Sequence, residues 1–259
     1  MTYWEERASH IREEALRLAE TAGERLSKEY AKAANATLKE YADLVKPWRN
    51  KDGSYDVAGI KLACKQDPNF RLKYQRFSSH LDAYLNKIAK DEQTIISKTL
   101  MGIYRTTDLQ LFNKTWNLLN EKAVEMAILT PWTSDGINFS SRIWKNTEQL
   151  KAEMKDIMLD SVLKGQNPRK TARKLVERYG VGASQAERLV RTETMAIYNQ
   201  AAFEGYQDLG IEQYEILGSP DDHMCEPSGT RHYMYEFDEG HTAPPFHPNC
   251  KCCIIPVVD

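Results

Sequence analysis

Apolar residues recur every three or four positions through the first part of the chain, which is the spacing of a helix with one buried face. The spacing starts after Thr2 and continues to Val45, so it predicts one helix of about forty residues. Thr2 and Glu5 form a capping-box pair at its start, and Pro47 follows its end. A short helix over 57–64 is predicted beyond a polar turn. The long stripe consists of Trp4, Ala8, Ile11, Ala15, Leu18, Ala22, Leu26, Tyr30, Ala34, Leu38, Tyr41 and Val45.

The helical spacing returns over 81–126, where it predicts two helices separated near 102–107. Residues 130–145 interrupt it, because their proline and glycine favour a loop. Trp132 and Trp144 would lie at the two ends of this loop. Tryptophans in such places either anchor a contact with a partner or pack the loop onto the helices. Packing is the simpler interpretation.

Three more helices are predicted before the pattern changes. The first is capped by Asn146 and ends before Gly165, and the second starts at Pro168 and ends at Gly180. The third begins with a capping box that starts at Ser184. These helices would connect the first part of the chain to its C-terminal end.

Beyond residue 212 the apolar residues alternate with polar ones. Tyr214 and Ile216, and later the run 253–258, read as short strands separated by turns. We therefore predict an α+β protein that is mainly helical, with long N-terminal helices and a small mixed α/β C-terminal domain. Its predicted regions are a helical N-terminal region over 1–130, a linker loop with connecting helices over 131–183, and the C-terminal domain over 184–259.

The charge of the chain is nearly balanced, with 35 basic and 37 acidic residues among 259. Such a balance gives no overall field that would attract DNA, so a DNA contact would need a local basic patch. The one dense basic cluster is either that patch or the solvated face of a helix; it consists of Lys164, Arg169, Lys170, Arg173 and Lys174. No segment has the roughly eighteen apolar residues of a membrane span, and the acidic start of the chain does not resemble a signal peptide.

Cysteine and histidine concentrate near the C-terminus, where four of the five cysteines and four of the six histidines lie. Thiolate and imidazole ligands in two groups joined by a loop can hold a structural zinc ion. Ser228 stands where the second cysteine of a paired Cys-x-x-Cys would be, so buried or free thiols remain the alternative. The candidate zinc ligands are Cys225, His247 (or His241), Cys250 and Cys252.

A polar motif, Arg191-Thr192-Glu193, lies within the last predicted helix. Glu193 is either an acid, base or ligand facing the Cys/His end, or part of a polar clamp that ties this helix to the C-terminal domain. The clamp is the better interpretation, because perturbed charges in polar networks are often structural. The sequence has no Gly-rich phosphate loop, no Gly-x-Ser-x-Gly and no His-Glu-x-x-His.

These motifs together resemble the C-terminal domain of the phage head morphogenesis family, the Mu F-like minor head proteins of tailed phages. The residues that carry the resemblance are Arg191, Thr192, Glu193, Asn199, Asp221, Asp222, Cys225, Gly229 and the run from Pro244 and Pro245 through His247 to Cys252. The segments that begin at Tyr3 and at Pro131 resemble the amino terminus and a central motif of members from Gram-positive phages.

The resemblance implies a minor capsid or head morphogenesis protein of a tailed phage or prophage, without enzymatic activity. Its expected partners are the portal protein and procapsid or scaffold components, with packaged or ejected viral DNA as a further partner. The expected location is the capsid interior, after assembly in the host cytoplasm. The alternative is a toxin-like metal-dependent hydrolase, nuclease or transferase that uses Asp221 or Asp222, Glu193 and His247.

Overall fold

The computed structural model describes residues 2–112, 121–218, 234–236 and 243–258. Its helices are α1 (Tyr3–Val45), α2 (Val57–Gln66), α3 (Pro68–Phe112), α4 (Glu121–Leu129), α5 (Phe139–Lys164) and α6 (Pro168–Asp208), with a 3-10 turn at Lys46–Trp48 after α1. Its strands are β1 (Gln213–Leu217), β2 (Met234–Glu236) and β3 (Cys253–Pro256). The predicted fold class, mainly helical α+β, is confirmed.

The three strands form one sheet in the order β2-β1-β3. β1 lies in the centre and is antiparallel to both neighbours; Tyr214 is opposite Tyr235 on one side and Pro256 on the other. The rings of Tyr214 and Tyr235 stack with their centroids 5.4 Å apart. All four residues of β3 are buried, so this strand is covered on both faces.

The first helix begins and ends where the apolar stripe predicts. The capping box is present, since Thr2 N donates to Glu5 Oε2 (2.6 Å) and Glu5 N donates to Thr2 Oγ1 (3.3 Å). The buried face differs from the predicted stripe at Leu18, which is 39% exposed, because the neighbouring Ala19 is buried instead. A neighbouring alanine can thus take the inward position where helices pack closely.

The predicted break near 102–107 is wrong, because α3 continues through it. Its buried face is uninterrupted there and includes Leu100, Ile103, Thr107 and Leu111. A glycine inside a helix costs about 1 kcal/mol relative to alanine. Burial of one leucine or isoleucine is worth more, about 1.5–3 kcal/mol. Gly102 therefore does not end the helix.

The predicted break at 180–184 is also wrong, because α6 runs unbroken from Pro168 to Asp208. Gly182 lies on the buried side of the helix, where an added Cβ would come within 2.5 Å of the Tyr30 ring. This glycine is required by close packing and not by a turn. The same kind of correction applies to α5, which begins at Phe139 instead of Asn146, since Phe139 and Ile143 are fully buried.

The described chain divides into two compact units. The first contains Met1–Glu24, Thr94–Ser140 and Glu187–Asp259, and the second contains Arg25–Gln93 and Ser141–Ala186. Both units collect segments that are far apart in sequence. The sheet belongs to the first unit, as do all the described residues that the sequence predicts for a site.

The second unit is a helical core with hydroxyl groups bonded inside it. Thr37 Oγ1 and the Tyr179 hydroxyl are 2.6 Å apart, and so are Ser161 Oγ and Thr171 Oγ1. Glu92 is 3% exposed and accepts a hydrogen bond of 3.2 Å from the Tyr30 hydroxyl. This unit therefore contains one carboxyl group deep among apolar side chains.

Candidate functional site

The part of α6 that carries the Arg191-Thr192-Glu193 motif is buried on all sides. Every residue from Thr192 to Asn199 is buried, polar ones included. A helix surrounded in this way must pair its polar side chains with other protein groups. The residues that pair with it come from the loop before α5, the C-terminal segment and α1.

Asn199 is hydrogen-bonded on both sides of its amide group. Its Nδ2 donates to Cys252 O (3.1 Å) and to Met195 O (2.8 Å). Its Oδ1 accepts from Ile254 N (3.0 Å). The amide thus bonds to Ile254 of β3 and to Cys252 just before it, as the backbone of a neighbouring strand would. It attaches the C-terminal strand to α6.

Thr192 makes a second attachment two helical turns earlier. Its hydroxyl donates to Arg188 O (2.7 Å) and accepts from Asn249 N (3.0 Å). Asn249 has a φ of 63°, in the left-handed region that asparagine tolerates better than most residues. Residues seven apart lie on the same helix face, so Thr192 and Asn199 hold the C-terminal segment at two points along α6.

Glu193 is hydrogen-bonded to the loop before α5. The Trp132 indole Nε1 donates to Glu193 Oε2 at 2.9 Å, and Glu193 is 4% exposed. The loop is closed by Asn138 Nδ2, which donates to Leu129 O (3.1 Å). Arg191 is only half-buried, on a different side of the helix from Glu193.

The thiols of Cys250 and Cys252 lie together in the interior, each 1% exposed. A hydrogen bond to the Cys252 thiol, followed by burial, raises the pKa of Cys250 above its usual value. His247 is exposed and its Nδ1 lies 2.8 Å from Pro248 O. The structure therefore brings two of the four predicted zinc ligands into contact, with His247 outside this pair.

The remaining predicted residues, Asp221, Asp222 and Cys225, lie outside the described part of the chain. Over 2–112, 121–218, 234–236 and 243–258, no three His, Cys, Asp or Glu side chains are placed to hold a metal ion together. Zinc binding therefore stays a prediction.

The thiol of Cys253 lies in a different environment, next to the first part of α1. Arg12 is 6% exposed, and its Nη1 lies 3.7 Å from Cys253 Sγ and 3.5 Å from Gly218 O. Burial raises the pKa of the Cys253 thiol to about 11, while the Arg12 charge acts in the opposite direction. The Tyr198 hydroxyl donates to Ala8 O (3.1 Å). The sequence pattern does not predict this contact between α1 and the sheet. An arginine within the apolar stripe of α1 was its only signal.

Several of the motif residues meet at one cavity of about 540 Å³ in the first unit. Trp132 lines it from the loop before α5, Asn199 from α6, and the buried pair Pro244 and Pro245, which are joined by a cis peptide bond, from the C-terminal segment. The other lining residues are Thr130, Pro131, Ala196, Gln200, Phe203, Glu204, Gln207 and Ala243.

Comparison with protein families gives one match that covers this region. Residues 152–255 match the family described as Phage Mu protein F like protein. This match supports the Mu F-like head morphogenesis family. The match begins within α5 and ends in β3, so it includes all of α6 with the Thr192 and Asn199 contacts. No curated protein and no solved structure matches the chain.

The match to the Mu F-like family suggests a phage head morphogenesis protein and a component of the virion. The resemblance found in the sequence motifs is therefore confirmed at the level of the family. Among the described residues, no helix is both long enough and apolar enough to cross a membrane.

Proposed function

We propose that this Mu F-like protein is a minor capsid protein that acts in procapsid assembly, in association with the portal and the procapsid or scaffold components of a tailed phage or prophage. It would be located in the capsid interior, after assembly in the host cytoplasm. The observation that carries the proposal is the family match over 152–255. The buried α6 segment, held to the C-terminal strand by Asn199, is a structural arrangement and supports an assembly role.

The proposal has a direct test in co-expression with the neighbouring head genes. We expect the protein to sediment with portal-containing particles and to be absent from particles assembled without the portal. A charge-preserving variant at the attachment point, Asn199→Ala, should reduce this association, while Gln200→Ala on the next position should not. Recovery of the protein only in the soluble fraction, with particles of normal composition, would refute the proposal.

Contact with viral DNA is a further part of the proposal, and the basic cluster at the start of α6 supports it. The first turn of α6 has no acidic residue, although a helix N-terminus favours negative charge. Lys170 and Arg173 are exposed there, whereas Lys164 is paired with Asp160 at 2.6 Å. Unbalanced positive charge at such a terminus suits a phosphate backbone.

Duplex DNA titrated in a gel-shift assay at two salt concentrations tests this contact. Reversal of both exposed charges, Lys170→Glu with Arg173→Glu, should abolish salt-dependent binding, and reversal of the paired Lys164 should reduce it less. Equal binding by all three proteins would exclude this surface.

We also propose that the protein has no catalytic activity. Glu193 is bonded to an indole and is almost completely buried, so it has little access to a substrate. His247 is exposed, and its Nδ1 lies 2.8 Å from Pro248 O. A structural role accounts for both side chains.

A further inference from the structure

The cavity beside α6 collects residues from three of the sequence motifs, which are distant in the chain. Trp132, Asn199 and Pro245 all line it, and its volume is about 540 Å³. Pockets that hold small ligands or a few peptide residues have volumes of about 300–1,000 Å³. The clamp described above needs the hydrogen bonds of Asn199 but gives no reason for an open space next to them.

Trp132 is held in a fixed orientation while part of its surface stays open. Its Nε1 is bonded to the buried Glu193 carboxylate at 2.9 Å, yet the residue is 38% exposed. A buried carboxyl group bonded to the indole N–H fixes the orientation of the ring. The face of an indole already attracts cations, more strongly than any other side-chain ring.

The polar side of the cavity carries a negative charge. Glu204 is the only charged side chain among the described lining residues. It is exposed, and its carboxylate accepts hydrogen bonds from Gln200 Nε2 (3.0 Å) and from the Tyr104 hydroxyl. A carboxylate can accept about four hydrogen bonds, so these two leave capacity for a ligand.

Neighbouring carboxylates extend this negative region beyond the cavity. Burial raises the pKa of Tyr104, and the charges of Glu204, Asp108 and Asp208 raise it further. The described lining contains no lysine or arginine next to Glu204. A ligand for this cavity should therefore combine a positive charge with apolar surface that fits Phe203 and the two prolines.

We propose that this cavity binds an arginine or lysine side chain, with its apolar neighbours, from an extended segment of a protein partner. The cation would lie between the face of Trp132 and the carboxylate of Glu204. Gln200 and Gln207 would offer hydrogen bonds to the backbone of the segment. This binding site goes beyond the proposed assembly role and does not depend on which head component supplies the segment.

Two labelled peptides that differ only in charge test the inference with the full-length protein. One has the sequence Ser-Leu-Arg-Leu-Ser, and the other has citrulline, the uncharged analogue of arginine, in the central position. Fluorescence anisotropy should give a dissociation constant at least about five-fold lower for the arginine peptide, because a cation over an indole and next to a carboxylate gains from both contacts.

Variants of the lining should remove this preference in a defined order. Glu204→Gln should weaken binding of the arginine peptide about three-fold, and Trp132→Leu about ten-fold. Gln207→Lys, at an exposed position that places a positive charge in the lining, should abolish the preference even if Trp132→Leu is unfolded. Glu20→Gln, an exposed glutamate elsewhere in the same unit, is the matched control and should leave binding unchanged.

Three results would overturn the inference. Absence of saturable binding by the arginine peptide at millimolar concentration would exclude a peptide site. Equal binding of the arginine and citrulline peptides would indicate a neutral, apolar ligand. Unchanged affinity in both Glu204→Gln and Gln207→Lys would place any binding elsewhere on the protein.

Discussion

Replacement of Glu92 by glutamine should make the second unit more stable, and more so at higher pH. Glu92 is 3% exposed in the helical core, and the hydroxyl of Tyr30 donates to it at 3.2 Å. Burial raises its pKa from 4.5 to about 7, and the Tyr30 hydrogen bond opposes part of that increase. Tyr30 and, next to it, Tyr179 are the titratable groups that face it.

The direction of the pH dependence follows from this raised pKa. Between pH 4.5 and about 7 the folded protein holds a proton at Glu92 that the unfolded chain has lost. The stability that the neutral carboxyl contributes is complete below pH 4.5 and is lost as the pH rises through 7. At 1.36 kcal/mol per pKa unit, the whole loss is about 3 kcal/mol at pH 8.

Urea unfolding of the wild type and of Glu92→Gln, followed by circular dichroism from pH 4 to 8.5, measures the effect. The two proteins should be nearly equal at pH 4, where both side chains are neutral, and the variant should be about 3 kcal/mol more stable at pH 8. Tyr30→Phe should act in the opposite direction, because it removes the hydrogen bond that stabilises the ionised carboxylate.

Glu177→Gln, at an exposed position of α6 in the same unit, serves as the control and should show no such pH dependence. A constant difference between Glu92→Gln and the wild type at all pH values would refute the reasoning. A variant that is less stable than the wild type at pH 8 would do the same.

Three further predictions concern the C-terminal segment. Asn199→Ala should destabilise the protein by about 2–4 kcal/mol, because two backbone groups of β3 and one of α6 lose their partner; faster amide hydrogen exchange at Ile254 would verify this, and unchanged exchange would argue against the clamp. Protein purified without a histidine tag should contain one equivalent of zinc if Cys225, His247, Cys250 and Cys252 are ligands. Chelation should then loosen the segment beyond residue 210 while the helices persist. Little zinc and an unchanged melting temperature in chelator would leave these thiols as core residues. Nucleic acid and peptide substrates should remain intact with Mg²⁺, Mn²⁺ or Zn²⁺, whereas cleavage that disappears in Glu193→Gln would establish an enzyme.

The sequence predicts where helices and strands occur in this protein better than it predicts where a helix is broken. The apolar stripe located α1 within one residue at its start, because one face of that helix is buried along its length. The two breaks assigned to glycines were wrong for a physical reason. Gly102 and Gly180 both have open space beside them, and a sequence does not distinguish these surroundings from those of a turn.

The sequence identified residues of the candidate site, but it did not predict which residues contact each other. Asn199 and Thr192 were identified as motif residues, and both contact the C-terminal segment. The partner of Glu193, however, is Trp132, which lies 61 positions away. Such contacts depend on the way the chain segments pack, and spacing within a single segment carries no information about them.

The amide of Asn199 also affects whether the C-terminal strand can pair with a strand of another molecule. β3 is at the edge of the sheet, and an edge with open N–H and C=O groups is a template on which a strand of another chain can add. Asn199 occupies two of those groups, Cys252 O and Ile254 N. The side chain therefore makes these two groups unavailable to a strand of another copy of the protein.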